Sequence, residues 1–136
     1  MPKPVLVSAC LLGMNTRYDG ANRRNEELLA QLAGRWIIPI CPEQLGGMPT
    51  PRPPAKLNGA SGEQILDGRA RIINAAGRDV TQEFIRGANE ALLLARTFGA
   101  EEAYLKTRSP SCGLGAFHGV CAALLLRHGI KVVAVD

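Results

Sequence analysis

The reading of residues 4–10, "PVLVSAC", decides the fold. Val5, Leu6 and Val7 make a short continuous apolar run with β-branched members, as in a strand buried on both faces. The run ends in small residues and a thiol. A turn-rich loop follows, with Tyr18-Asp19-Gly20 as its clearest turn signal. Asn25 then suits a helix N-cap. Glu26 and Glu27 fall in the first turn, where carboxylates meet the positive end of the helix dipole, and Gly34 suits the stop. "WIIPIC", residues 36–41, reads as a second strand. Strand, helix and strand before residue 45 make a parallel βαβ unit with a right-handed crossover.

Working outward, residues 42–57, "PEQLGGMPTPRPPAKL", carry five prolines (Pro42, Pro49, Pro51, Pro53, Pro54). Proline lacks an N–H and clashes inside helices, so this stretch predicts a long ordered loop rather than a helix or central strand. "QILDGRARII", residues 64–73, sets Asp67-Gly68 between two apolar-containing arms and predicts a β-hairpin leaving the main sheet. Asp79 or Thr81 caps the next helix, with Gln82 as reciprocal partner if Asp79 is the cap. Phe84, Ala88, Ala91, Leu92 and Ala95 fall on one face of that helix. Ala103 to Lys106 is a third strand running into "RSPSCG". A helix from about Phe117 to Gly129 and a last strand, "IKVVAV", close the chain. Strands alternate with helices, without repeat or linker. The expected fold class is α/β: a compact three-layer domain spanning residues 1–136, with a mainly parallel sheet and a β-hairpin excursion.

The 136 residues suffice for one core, and aromatics at 4% leave aliphatic side chains to fill it. The net charge of +4 comes without a Lys/Arg run or a basic-aromatic patch, which disfavours nucleic-acid binding. No apolar run approaches the roughly 20 residues needed to span a bilayer. Charged and polar residues follow the first apolar run at once, so it reads as a strand rather than a signal peptide. The expected location is cytoplasmic. Reducing conditions there disfavour disulfides, which leaves the four cysteines as core residues, a metal site or a catalytic set.

In parallel sheets, ligands bind beyond the carboxyl ends of the strands, where strand order reverses. Cys10 ends the first strand, Cys41 ends the second, and Cys112 lies in the loop leaving the third. A shared strand direction carries all three to one edge. Their linear spacing matches no zinc finger or ferredoxin run, and cysteine is also a common core residue. Adjacent thiolates, however, repel unless a cation holds them, and the soft-ligand options are zinc and an iron–sulfur cluster. A four-iron cluster on three cysteines leaves one iron without a protein ligand; zinc with three protein ligands offers the same topology.

Cys121, one turn from Leu124 and Leu125, reads as core. Glu43, two residues past Cys41, suits a general base or an anchor for the proline-rich loop. Ser109 and Ser111 suit hydrogen bonding to a sulfide, a substrate or their own turn, and Gly113 and Gly115 allow close backbone approach. Arg17, Tyr18, Asp19, Arg52 and Lys106 are candidates for the rim. His118 and His128 read as helix-end polar groups rather than ligands.

"VSACLLGMNTRYDG", "CPEQLGGMPTPRPPA", "GRDVTQEFIRGA", "LKTRSPSCG" and "GVCAALLLRHGIKV" together resemble the thiouracil desulfurase family, formerly a domain of unknown function, over nearly the whole chain. "CPE" followed by "GG" and "PRPPA", together with "SPSCG", is a specific combination. The resemblance implies a compact α/β domain. It implies a [4Fe-4S] cluster on Cys10, Cys41 and Cys112, whose fourth iron is free for the substrate's sulfur, with Glu43 as acid/base and Ser109 as an assisting residue. The implied activity is non-redox removal of sulfur from a small thiolated base such as 2-thiouracil, giving uracil and hydrogen sulfide. The alternative is a cluster- or zinc-binding sulfur carrier or small-molecule-binding protein without turnover. Two departures stand out. Lys56 replaces an acid usual in the family, and only "LGAFH" separates "SPSCG" from "GVCAALL", where relatives usually have a longer segment.

Overall fold

The computed structural model describes residues 3–114 and 118–136. Four strands, β1 (Val5–Ser8), β2 (Ile37–Ile40), β3 (Glu102–Lys106) and β4 (Lys131–Val135), form one parallel sheet in the order β2-β1-β3-β4. The registers place Val5 beside Ile37 and Glu102, and Ser8 beside Ile40. The chain steps to one side of β1 for β2 and then crosses to the other side for β3. The order therefore reverses between β1 and β3.

Side chains alternate across a strand, and each face of β1 feeds its own apolar cluster. Val5 and Val7 pack with Tyr104 and with Leu28 and Leu32 from helix α1 (Glu26–Gln31) and the turn ending it. Leu6 packs with Ala103 and Leu105, under Phe84 and Ala88 of α4 (Thr81–Phe98) and Leu125 of α5 (Val120–Arg127). Helices on both faces of a parallel sheet are the three-layer α/β arrangement expected. Each fully buried Val, Leu or Phe contributes about 1.5–3 kcal/mol, so β1, buried at all four positions, anchors both layers.

The expected caps are partly realised. Asn25 accepts from Leu28 N at 2.9 Å and starts α1. At α4 the N-cap is Val80, so no reciprocal cap with Gln82 forms. Asp79 instead accepts from both Thr81 N, 2.9 Å, and Thr81 Oγ1, 2.6 Å. The face predicted for α4 is buried at Phe84, Ala88, Ala91, Leu92 and Ala95.

Three expectations are corrected. The hairpin over residues 64–73 is absent. Ser61 accepts from Gln64 N and the Gln64 side chain accepts from Ser61 N, and this capping box starts helix α3 (Gly62–Leu66). Asp67-Gly68 is that helix's exit, with Gly68 at φ 76°. Antiparallel bridging occurs later, between Ile73 and Asp79, around a turn in which Asn74 N donates to Arg78 O. Second, the proline-rich stretch opens with a one-turn helix, α2 (Pro42–Leu45). Pro42 sits at its first position, where a missing N–H costs nothing. Third, β1 stops at Ser8, and Cys10 lies in a 3-10 turn, Ala9–Leu12. The last helix begins at Val120; the expected start at Phe117 lies outside the described residues, as does Gly115.

Helix α2 is pressed onto α4 by a contact that only glycine allows. A Cβ at Gly87 would lie 1.8 Å from Pro42 O. This seating fixes the helix that carries Glu43.

Candidate active site

The carboxyl ends of β1, β2 and β3 open into one cavity of about 290 Å³ at the reversal point. Cys10, Cys41 and Cys112 all line it, each delivered by a different strand end. Cys10 is 8% exposed. Its carbonyl accepts from Arg23 N at 2.9 Å, which folds the following loop back over the cavity's β1 side. Cys41 is half-buried at the N-cap of α2, with Sγ 3.7 Å from Thr16 O. Cys112 is buried in the turn after β3, with Sγ 3.7 Å from Ser111 Oγ. Cys121 is fully buried in the core cluster. All four thiols are free.

Burial pushes the Cys112 thiol up to about 12, against hydrogen bonds from Ser8 and Ser111 that favour the thiolate. Burial also raises Cys10, opposed by the charge of Arg17. Neutral buried thiols such as these become thiolates when a cation joins them. Among the described residues, no group of three His, Cys, Asp or Glu side chains is arranged to hold a single metal ion. The three thiols line one cavity. Their soft sulfur donors match an iron–sulfur cluster. Cationic Arg17 and Lys106 line the same cavity, where they offset thiolate charge. Arg17 Nε is buried without a hydrogen-bond partner.

A chain of side chains runs through this cavity. Arg52 Nε donates to Glu43 Oε1 at 2.9 Å, and Ser111 Oγ donates to Glu43 Oε2 at 3.3 Å. Ser109 Oγ lies 3.1 Å from Ser111 Oγ and accepts from Cys112 N at 3.1 Å. Ser109 therefore shapes the turn that presents Cys112 as well as facing the cavity. Gly113 completes the turn, its N donating to Ser109 O at 2.8 Å; a Cβ there would lie 2.6 Å from the same oxygen.

Of the remaining rim candidates, Arg17 and Tyr18 line the cavity, together with Lys56 and Lys106. Burial and the neighbouring Arg17 charge lower the pKa of Lys106. Arg52 also lines the cavity, but it is 8% exposed and held by protein acceptors. Asp19 and Gly113 do not line the cavity; Asp19 accepts from Ala21 N in a turn. His118 pairs with Glu63 at 2.8 Å, and His128 ends α5 beside Arg96.

Sequence reasoning missed Ser8, Thr16 and Arg108. Ser8, just before the "AC" that follows the first strand, was the legible one: its Oγ accepts from Lys106 N at 2.9 Å and ties β1 to β3 beneath the cavity. Thr16 contributes its carbonyl, for which sequence carries no signal. A larger groove of about 1240 Å³ lies at the opposite end of the sheet, past Trp36 and Phe98, and it carries no cysteine.

A family model described as 2-thiouracil desulfurase matches residues 5–136. The uncharacterized protein YbbK of Bacillus subtilis (strain 168) is 38% identical over 142 residues, covering 96% of this chain and 94% of its own. A solved structure described as the [4Fe-4S]-dependent thiouracil desulfidase TudS is 41% identical. It superposes with a TM-score of 0.82 over 98% of this chain and 91% of its own.

Proposed function

The chain belongs to the 2-thiouracil desulfurase family, and on that premise we propose that it holds a [4Fe-4S] cluster on Cys10, Cys41 and Cys112 and removes sulfur from a thiolated base such as 2-thiouracil. The observation that carries this reading is the single cavity onto which three strand ends deliver three thiols beside Glu43. With Cys121 sealed in the core, the cavity has no fourth thiol. When bound, the cluster supplies a soft Lewis-acidic iron without a protein ligand, open to a thiocarbonyl sulfur.

The net reaction is hydrolytic: the thiocarbonyl and one water give a carbonyl and hydrogen sulfide, with no change in oxidation state. The chain's own residues manage the protons. Glu43 takes a proton from the attacking water at Oε2, the oxygen turned toward Ser111, and returns it to the departing sulfur, which leaves as hydrogen sulfide. Ser111 holds the carboxylate's cavity side, and Ser109, beside Ser111, offers its hydroxyl hydrogen to the departing sulfur. Arg17 and Lys106 place positive charge where anionic sulfur collects, and such preorganised charge is typically worth several kcal/mol of barrier. A small planar base suits a cavity of about 290 Å³. No helix among the described residues is long and apolar enough to cross a membrane. Four free thiols suit the reducing cytoplasm.

Anaerobic reconstitution followed by 2-thiouracil turnover tests the reading. It requires uracil and sulfide in equal amounts from wild type, and a Glu43→Ala variant that keeps iron and loses activity. Wild type that binds iron yet releases no sulfide would leave the sulfur-carrier alternative standing.

A further inference from the structure

Arg52 is a charged residue only 8% exposed, and it sits between the loops leaving β1 and β2. Every N–H of its guanidinium has an acceptor. Nε donates to Glu43 Oε1 at 2.9 Å. Nη1 donates to Pro49 O at 3.1 Å and Thr50 Oγ1 at 2.9 Å. Nη2 donates to Thr16 O at 2.9 Å and faces Cys41 Sγ at 4.0 Å. Its backbone N donates to Tyr18 O at 2.8 Å, so the group is fixed at both ends. A guanidinium with no donor to spare is not a substrate-binding rim residue.

We propose that Arg52 is a positioning residue of the desulfurase site: one guanidinium orients the Glu43 carboxylate and directs its remaining N–H at Cys41 Sγ, joining the base to a ligand thiolate. The inference rests on the function proposed above. With Oε1 held by Arg52, Oε2 is the oxygen left to Ser111 and the cavity. The planar fork fixes that choice, because its donors diverge at set angles toward Glu43, Thr50 and Thr16 together. A lysine ammonium is a point charge without this fork. The same cation faces a thiolate in the loaded protein, where a charge-assisted N–H···S contact withdraws electron density from the sulfur.

The test uses the anaerobically reconstituted protein, with activity expressed per mole of bound cluster from iron and acid-labile sulfide. Arg52→Lys should lower kcat per cluster about 10- to 100-fold, the usual cost of losing an outer-shell partner, with KM unchanged. The resonance Raman band of the iron–cysteine bonds should shift. A kcat per cluster equal to wild type, with losses confined to iron content, would mean Arg52 only supports folding and overturns the inference. A raised KM at unchanged kcat would mean substrate contact and overturns it too. Should Arg52→Lys fail to accumulate, Thr50→Val removes one guanidinium anchor and should give a smaller fall in kcat per cluster; no fall there overturns the inference. Wild type that releases no sulfide from thiouracil overturns the underlying function instead.

Discussion

Ser111 Oγ lies 3.3 Å from Glu43 Oε2, joining the turn after β3 to helix α2 across 68 residues of sequence. Ser111 also meets Ser109 Oγ at 3.1 Å and Cys112 Sγ at 3.7 Å, so one hydroxyl touches the proposed base, the second serine and a proposed cluster ligand. Ser111→Ala should therefore lower sulfide release about 10- to 100-fold while retaining iron. Loss of one buried hydrogen bond should cost about 1 kcal/mol of stability. Steady-state kinetics and denaturant titration of the same preparation separate the two effects.

The thiols should divide three to one. Cys10→Ala, Cys41→Ala and Cys112→Ala should each fail to retain a full cluster, because all three line the cavity. Cys121→Ala should keep iron content and activity and cost about 1 kcal/mol of packing, because Cys121 is wholly buried in the core. Iron and acid-labile sulfide per chain after reconstitution check each case.

Cluster assembly should favour higher pH. Burial raises Cys112 to about 12 and raises Cys10 above the ordinary thiol range, so both are protonated in the empty protein at neutral pH. Binding must expel those protons, and affinity therefore rises as pH rises. Reconstitution at pH 9 should give higher occupancy than at pH 7, with proton release measurable in weak buffer. Equal occupancy across that range would show that the buried thiols do not limit assembly.

The seating of α2 on α4 should be intolerant of a methyl group. Gly87→Ala places Cβ against Pro42 O, forcing the helices apart. Overpacking of this kind typically costs about 1–3 kcal/mol. It should also lower activity in the variant that still folds, because α2 carries Glu43. A melting temperature and a kcat both equal to wild type would refute this.

Acid stability should report the start of α4. Hydrogen bonds from Thr81 and the ion pair with Arg71 hold Asp79 down to about 2. A depressed carboxylate stabilises the fold above its unfolded pKa of about 4, and that contribution is lost as pH falls toward about 2. Asp79→Asn should flatten the decline of stability across this window, as seen in acid-titrated unfolding.

What the sequence made legible follows from how local each signal is. The parallel sheet was readable because β1 is a continuous apolar run and the Asn25 cap and acidic first turn mark α1 beside it. The convergence of Cys10, Cys41 and Cys112 followed from strand direction alone. The hairpin over residues 64–73 failed because Asp67-Gly68 serves a helix exit as readily as a tight turn; Ser61 and Gln64, three residues apart, carried the competing signal and decided it. Helix α2 escaped notice because proline was counted against helix where, at the first position, it is tolerated. The role of Arg52 was illegible because it depends on acceptors from three separate segments, two of them backbone carbonyls. The short segment "LGAFH" falls largely on residues outside those described.

Iron and acid-labile sulfide measured on anaerobically reconstituted wild type, beside the triple variant Cys10→Ala/Cys41→Ala/Cys112→Ala, test the central claim most directly. The account predicts a full [4Fe-4S] complement on wild type, none on the triple variant, and conversion of 2-thiouracil to uracil by the former alone. A cluster that survives loss of all three thiols, or a wild type that takes up zinc and refuses iron, would contradict it.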